Sequence, residues 1–503
     1  MMNVTILMIQ LIMKTRFEVI RLMDFSSFKS MSLDEKIRHL IDDRFLLISS
    51  PRIKIAYDAL KDTLYPNDEA ELTMAWLALF SGDNFGLHQR YQHIRKEHLS
   101  IRSLGLYQDL IALSGTFGSI EDRLNQSQQA LTSLEGTNDL YLANAYLTHG
   151  QILNGMLKLR DAAYYFKKGY DIFLEERLAF ASAIALTNSF LISYRLGEMD
   201  QTTKEIEQAL MIFSQFQSDD KGIVNILKLT LGMCYLEYGR YQMAEKALLQ
   251  SKEAIDAFDL IHMHGYIEIT LIRLYVLTSS YSQLQTLLDK MTLLFTNMHY
   301  PMMDVIMYYA KYHLNQLQPS DLETLMFYNE THKVPHPLMD ELMMALHHDG
   351  KVNYPFDLHL KRIEQSRYAG DRTALIQQLL FLADRYLDEG KKKESLYLVE
   401  EIYELYKTFH LTSALKLYHY GCQDLLKKID SKIELKKVDI QLFTPKEHEI
   451  LVCIEKGLTN EDIAQKLYIS IGTVKWHINH IYSKLDVKHR AEAIKKAKDQ
   501  GYL

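Results

Sequence analysis

The sequence predicts an all-α protein in which a long array of helical hairpins is followed by a small helical bundle formed by the last 60 residues. Three observations lead there. Only 8 prolines and 21 glycines interrupt a 503-residue chain that is otherwise rich in Leu, Ala, Lys, Glu, Gln and Tyr. Helix starts recur at a near-constant spacing through the middle of the chain. The C-terminal end then strings together cap and stop signals around short apolar stripes. One helical mass of this length would exceed an ordinary domain, so a repeat array is the economical arrangement.

The repeat is clearest over Leu231-Gly232-Met233-Cys234-Tyr235-Leu236-Glu237-Tyr238-Gly239-Arg240-Tyr241-Gln242-Met243-Ala244. Its small residues let two antiparallel helices approach, and its tyrosines fill the space between them. Aligning Tyr241 with other helix starts gives Ile120, Leu159, Met199, Tyr241 and Tyr281, separated by 39, 40, 42 and 40 residues. Two positions earlier stand Gly118, Leu157, Gly197, Gly239 and Ser279; three positions later stand Arg123, Ala162, Thr202, Ala244 and Leu284. Weaker hairpins are read around Trp76 to Arg90 and around Ala383 to Leu398, with Gly390 at the turn.

This pattern resembles the tetratricopeptide helical hairpin, with a period longer than the usual ~34 residues. The resemblance implies a solenoid whose inner wall comes from the first helix of each pair. At one such inner position the central hairpins show Thr148, Asn188, Thr230 and Thr270, with Asn144, Gln151, Tyr194, Arg195 and Arg273 nearby. The set reads as a polar ladder for an extended peptide or a compact polar ligand. Equally, small polar residues simply face water inside any solenoid, and the sequence leaves both readings open.

At the C-terminus, Thr444-Pro445-Lys446-Glu447 is a helix start: a capping hydroxyl, a proline at the first helical position and an acid able to reach back. That helix should run to about Lys456, with Ile450, Leu451 and Ile454 on one face and Gly457 ending it. Thr459-Asn460-Glu461-Asp462 repeats the signal for a second helix with Ile463, Ala464 and Leu467 inward, which stops at Tyr468-Ile469. Ser470 caps a third, where Val474, Ile478, Ile481 and Leu485 recur at spacings of four, three and four. Its opposite face carries Thr473, Lys475, Trp476, His477, Asn479, His480, Ser483 and Lys484. These are hydrogen-bonding, cationic and aromatic groups, a surface suited to the donors, acceptors and methyls of a major groove.

Charge points the same way. Residues 444–503 hold ten Lys and Arg against eight Asp and Glu, a net of +2, so the remainder carries −9 of the chain's −7. From Ser470 to Lys498 the count is seven basic to two acidic, with Lys488 and Arg490 extending the basic surface beyond the third helix.

The run FTPKEHEILVCIEKGLTNEDIAQKLYISIGTVKWHINHIYSKLDVKHRAEAIKKAKDQGYL is similar, without a gap, to the LuxR-type C-terminal DNA-binding domain. The matching residues are Thr444-Pro445, Glu447, Glu449, Gly457, Asn460, Ile463-Ala464, Leu467, Ser470, Gly472-Thr473-Val474-Lys475, His477, Ile481, Lys484-Leu485, Val487, Arg490 and Ala493. The resemblance implies a four-helix helix-turn-helix module whose third helix enters the major groove and whose fourth, roughly Arg490 to Gln500, forms a dimer contact on DNA. It also implies that Lys475, Trp476 and Asn479 face the bases, while Thr473, His477 and Lys484 lie near phosphates or support the helix. From the residues alone, Trp476 could instead be a half-buried ring packed on a neighbour. His489 stands where many members have Asn or Ser, as it does in the maltose-regulator group, whose long-hairpin arrays the repeat also resembles.

The domain boundaries expected are 1–429 for the array, 430–443 for a linker and 444–503 for the DNA-binding domain. The stretch from Leu426 to Phe443 holds five lysines and no convincing stripe after Ile429, which reads as a basic tether. Met1 to Met13 is apolar, but Lys14 and Arg16 follow it instead of preceding it, and thirteen residues are too few to cross a bilayer. An overlong start or a first helix is expected there, with no membrane association. Cys234, Cys422 and Cys453 are scattered within apolar helices and suit reduced thiols of a cytoplasmic protein.

No GxxxxGK[ST] loop is present, so no nucleotide cofactor is expected, and no receiver-like strand-helix alternation appears near the N-terminus. His332, His336, His347 and His348 cluster with Pro335 and Pro337, fit no standard zinc spacing and read as exposed loop histidines, so no metal is expected. The sequence thus points to a bacterial, cytoplasmic, non-enzymatic transcription regulator. Its expected partners are double-stranded DNA, a second copy on DNA, RNA polymerase, and a small molecule, peptide or protein taken by the array. The alternatives are a tetratricopeptide-like interaction scaffold and a peptide-sensing signalling inhibitor.

Overall fold

The computed structural model describes residues 30–417 and 445–499, less 49–52, 115–117, 138, 215–221, 258–259, 296–300, 332–336, 468, 486 and 488. It divides into two compact units, Met1–Tyr418 and His419–Leu503. The expected linker 430–443 lies outside the described residues, as do Met1 to Met13 and Cys422. Every regular element among the described residues is helical.

The first unit opens with α1 (Leu33–Asp42), α2 (Arg44–Ile48), α3 (Ile53–Leu60), α4 (Asp68–Phe80), α5 (Asn84–Tyr91) and α6 (Ile101–Ser114). The weak hairpin read around Trp76 is α4 and α5, turned at Gly82 with φ 77°. Trp76 is wholly buried, and its indole N–H donates to the Leu106 carbonyl of α6 at 3.1 Å, so α6 is held by a hydrogen bond inside an apolar core.

The central helices follow: α7 (Ile120–Ser133), α8 (Leu140–Gly155), α9 (Leu159–Glu175), α10 (Ala179–Arg195), α11 (Met199–Ser214), α12 (Lys228–Glu237), α13 (Tyr241–Ala257), α14 (Ile261–Leu277) and α15 (Tyr281–Phe295). All five aligned positions, Ile120, Leu159, Met199, Tyr241 and Tyr281, are the first residues of helices. The position two residues earlier is left-handed in every case, with φ of 90° at Gly118, 62° at Leu157, 77° at Gly197, 69° at Gly239 and 54° at Ser279.

The reason is a shared helix stop. Gly239 N–H donates to Leu236 O at 3.0 Å and Arg240 N–H to Tyr235 O at 2.8 Å; the same pair recurs at Leu157-Lys158, Gly197-Glu198 and Ser279-Ser280. This is the Schellman arrangement, which satisfies the last carbonyls of one helix and aims the chain into the next. The Leu-Gly site also has a packing cause. A Cβ on Gly232 would stand 2.6 Å from Leu248 Cγ and 3.3 Å from the Ala244 carbonyl, so α12 and α13 approach as closely as they do only because that atom is missing.

The unit continues with α16 (Pro301–His313), α17 (Pro319–Thr331), α18 (Pro337–His348), α19 (Phe356–Ala369), α20 (Arg372–Asp388), α21 (Lys392–Phe409) and α22 (Ser413–Leu417). Gly390 turns α20 into α21 with φ 77°, as the sequence indicated. The array then closes on itself: α22 packs on α14 as well as on α20, and α20 touches α10. No described helix is long and apolar enough to cross a membrane.

Candidate nucleic-acid interface

The second unit is built from α23 (Pro445–Glu455), α24 (Asn460–Leu467), α25 (Ile471–Leu485) and α26 (Arg490–Asp499). Gly457, at φ 76°, ends α23 with the same stop as the array turns: Gly457 N–H reaches Ile454 O at 3.1 Å and Leu458 N–H reaches Cys453 O at 3.2 Å. A capping box then starts α24. The Thr459 hydroxyl accepts from Asp462 N–H at 3.2 Å, and Asp462 accepts from Thr459 N–H at 2.9 Å and from its hydroxyl at 2.7 Å. Those bonds from Thr459 hold the Asp462 carboxyl below its usual range. The Ser470 hydroxyl accepts from Thr473 N–H at 3.1 Å and starts α25.

The predicted stripe is the buried face of α25. Val474, Ile478, Ile481 and Leu485 are buried, as are Ile450, Leu451 and Ile454 of α23, Ile463 and Ala464 of α24 and Ala493 and Ala497 of α26, and α25 packs on all three of those helices. Burial of one face by three helices fixes which face of α25 is left outward. Lys475 and Asn479 are exposed there, and Thr473, Trp476, His477 and His480 are half-buried. Ser483 and Lys484 fall on the last turn of α25, and Lys488 lies outside the described residues.

Trp476 is organised by its own helix. Its ring stacks on His480, four residues on, with centroids 3.9 Å apart and planes at 29°, and it meets the edge of His477 at 4.8 Å. The outward face of α25 therefore carries a flat aromatic plate flanked by an exposed lysine and an exposed amide. A lysine and an amide can hydrogen-bond base edges, and an aromatic plate can lie against a thymine methyl.

The inner positions of the array have a different character. Thr148, Thr230 and Thr270 are buried to 2%, 0% and 4% exposure, and the Thr270 hydroxyl donates back to Tyr266 O at 2.7 Å. Asn188 is half-buried and donates to Ile184 O at 2.9 Å, Asn144 donates to Asp109 at 3.2 Å, and Gln151 is exposed. Tyr194 donates to Glu237 at 2.8 Å, Arg195 bridges Asn154 at 2.7 Å and Asp371, and Arg273 pairs with Glu341 at 2.6 Å. The polar ladder expected from the sequence is thus not an open wall. Burial removes the three threonines from an open wall, with Thr270 bonded back to its own helix and the Thr230 hydroxyl left without a partner among the described residues, and long-range partners take up Tyr194, Arg195 and Arg273.

The histidines also differ from expectation. His347 and His348 close helix α18 instead of lying in a loop, while His332 and His336 lie outside the described residues. His348 Nδ1 stands 3.1 Å from Asp384 Oδ2, and with Asp388 the three bring ligand atoms within 4.8 Å of one another. No ion is needed to account for the His348 and Asp384 pair.

Residues 441–497 match the family of bacterial regulatory proteins described as the luxR family. The C-terminal unit carries a luxR-family helix-turn-helix domain. Over 60 residues the chain is 42% identical to the HTH-type transcriptional regulator AlkS of Alcanivorax borkumensis, which is 12% of this chain and 7% of that protein. Over 71 residues it is 37% identical to the response regulator protein VraR of Staphylococcus aureus, 14% of this chain and 34% of that protein. The chain therefore spans only a minor part of these relatives. Among solved structures, it is similar to a Rap protein complexed with competence and sporulation factor, at 10% identity and a TM-score of 0.46, over 75% of this chain and 99% of that one.

Within the luxR-family domain, one residue has a role that sequence reading missed. Arg490, grouped with the DNA-contacting basic residues, turns its guanidinium inward: Nη2 donates to Leu458 O and, at 3.4 Å, to Ile454 O. Ile454 lies in the last turn of α23, where its carbonyl also accepts from Gly457 N–H, and Leu458 stands in the turn just beyond, so Arg490 locks the start of α26 onto the end of α23. The signal was present as an arginine opening a helix, a poor place for a cation unless it serves another element.

Proposed function

We propose that this protein is a sequence-specific, double-stranded-DNA-binding transcription regulator whose array takes a ligand or partner. The observation that carries this reading is the outward face of α25, where Lys475, the Trp476–His480 plate and Asn479 project from a helix locked by three others in a luxR-family domain. Lys475, Trp476 and Asn479 are assigned to base edges. Thr473, His477, Ser483, Lys484 and Lys488 are assigned to phosphates or to support, and Arg490 to the clamp on α23. Two copies bound to two half-sites, contact with RNA polymerase and a cytoplasmic setting belong to the same proposal, as does the absence of an enzymatic step.

Replacing Asn479 with alanine is expected to relax sequence preference at one or two base pairs, at ~1–3 kcal/mol of discrimination. Lys484→Ala is expected to weaken all DNA equally and flatten the salt dependence by about one unit of slope. Binding titrations against specific and scrambled duplexes over a salt series check both. Loss of nonspecific affinity alone in both variants would overturn the assignment.

A further inference from the structure

The last described stretch of the array bonds to its middle across some 175 residues of sequence. α21 ends at Phe409, His410 reverses the chain with φ 56°, and Leu411 to Leu417 then lies against α14 and α20. Glu237, the last residue of α12, is the anchor. Its Oε2 accepts from Ser413 N–H at 2.8 Å, its Oε1 from the Ser413 hydroxyl and from Tyr194 at 2.8 Å, and its carbonyl from the Thr412 hydroxyl.

A second contact lies at the foot of α20. Arg195 grips Asp371 through Nε at 2.8 Å and Nη2 at 2.7 Å, and Arg372 donates to Leu196 O at 2.6 Å while lying 4.2 Å from the centre of the Phe409 ring. Phe409 occupies the space over Gly197, where a Cβ would come within 2.9 Å of its ring. Beneath these contacts is a cavity of about 20 Å³, lined by Tyr194, Glu237, Arg273, Gln377, Ser413 and Leu417 among others. That is about the size of a single water site.

These contacts differ from the solenoid's own packing. Those made by residues 411–417 are mostly polar, they come from a five-residue helix and the residue before it, and their buried apolar anchors are Leu411 and Leu417. They also stand immediately before residues 418–444, which join the array to the luxR-family domain in sequence.

We propose that residues 410–417 are a displaceable clasp, docked on Glu237. Docked, the clasp anchors the chain at Leu417, and the connection to Pro445 is residues 418–444. Undocked, the connection is residues 410–444, and the surface formed by Tyr194, Glu237 and Arg273 opens. The effect on DNA rests on the proposed function; the clasp itself does not.

Hydrogen exchange of the full-length protein separates the two. In Glu237→Gln and in Ser413→Ala, peptides covering residues 410–417 are expected to exchange faster, on the order of tenfold for the glutamine variant, while α8 and α9 keep their protection. Equal exchange over 410–417 in wild type and both variants would overturn the clasp. If Glu237→Gln loosens α8 and α9 as well, Ser413→Ala, which trims the contact from the clasp side alone, gives the reading in its place. On DNA selected by the wild type, the clasp variants are expected to shift apparent affinity several-fold; faster exchange with unchanged affinity would overturn the coupling. A wild type that selects no DNA would contradict the proposed function and leave the exchange result to decide the clasp.

Discussion

Asp109 lies on α6 with no exposed surface; one carboxylate oxygen accepts from Asn144 at 3.2 Å and the other meets no donor. Burial pushes its carboxyl well above the usual range, and the single amide bond does not offset this. The folded-state value is raised, so the unfolded chain releases its proton near pH 4 while the native chain keeps it. Stability therefore falls as pH rises above about 4, by up to about 1.4 kcal/mol per pH unit until the folded group ionises. Asp109→Asn keeps the shape and does not titrate, so its denaturation midpoint is expected to gain on the wild type steadily from pH 4 upward. Parallel curves would contradict this. The same pair shows what a single sequence hides: Asn144 reads as an inner-wall amide, yet its partner is a carboxyl 35 residues away.

At the scale of the element, the hairpin turn explains both the regular spacing and its irregular residues. The left-handed position is glycine at Gly118, Gly197 and Gly239, and it is strained at Leu157 and Ser279. Ser279 is exposed, so nothing but its backbone conformation opposes replacement. Ser279→Gly is expected to stabilise by up to about 1 kcal/mol after the added freedom of the unfolded chain is subtracted, and Gly239→Ala to destabilise by a similar amount. Chemical denaturation of the two variants checks the opposite signs; destabilisation by both would contradict the shared-stop account. This layer was legible because a helix stop is local: carbonyls, a left-handed residue and the next start lie within six residues. The exposure of the first helix of each pair was not legible, since it depends on neighbouring hairpins and on α20 and α22 returning from far along the chain.

For the whole molecule, the luxR-family domain and the array pose different problems of inference. In the domain, caps at Thr459 and Ser470, the stop at Gly457 and the stripe from Val474 to Leu485 all act over short distances, and each stands where the sequence put it. Arg490 escaped because its acceptors, Ile454 O at the end of α23 and Leu458 O in the turn after it, lie more than thirty residues back in the chain. In the array, the hairpins were legible and the interior was not, because Arg195 with Asp371 and Glu237 with Ser413 are pairings of residues about 175 apart that no periodicity announces. The central claim is that α25 reads base sequence, and selection of genomic fragments by the full-length protein, repeated with Lys475 and Asn479 both changed to alanine, tests it most directly. The account predicts that the wild type recovers a short inverted repeat and that the double variant loses it; equal, unselective recovery by both would contradict it.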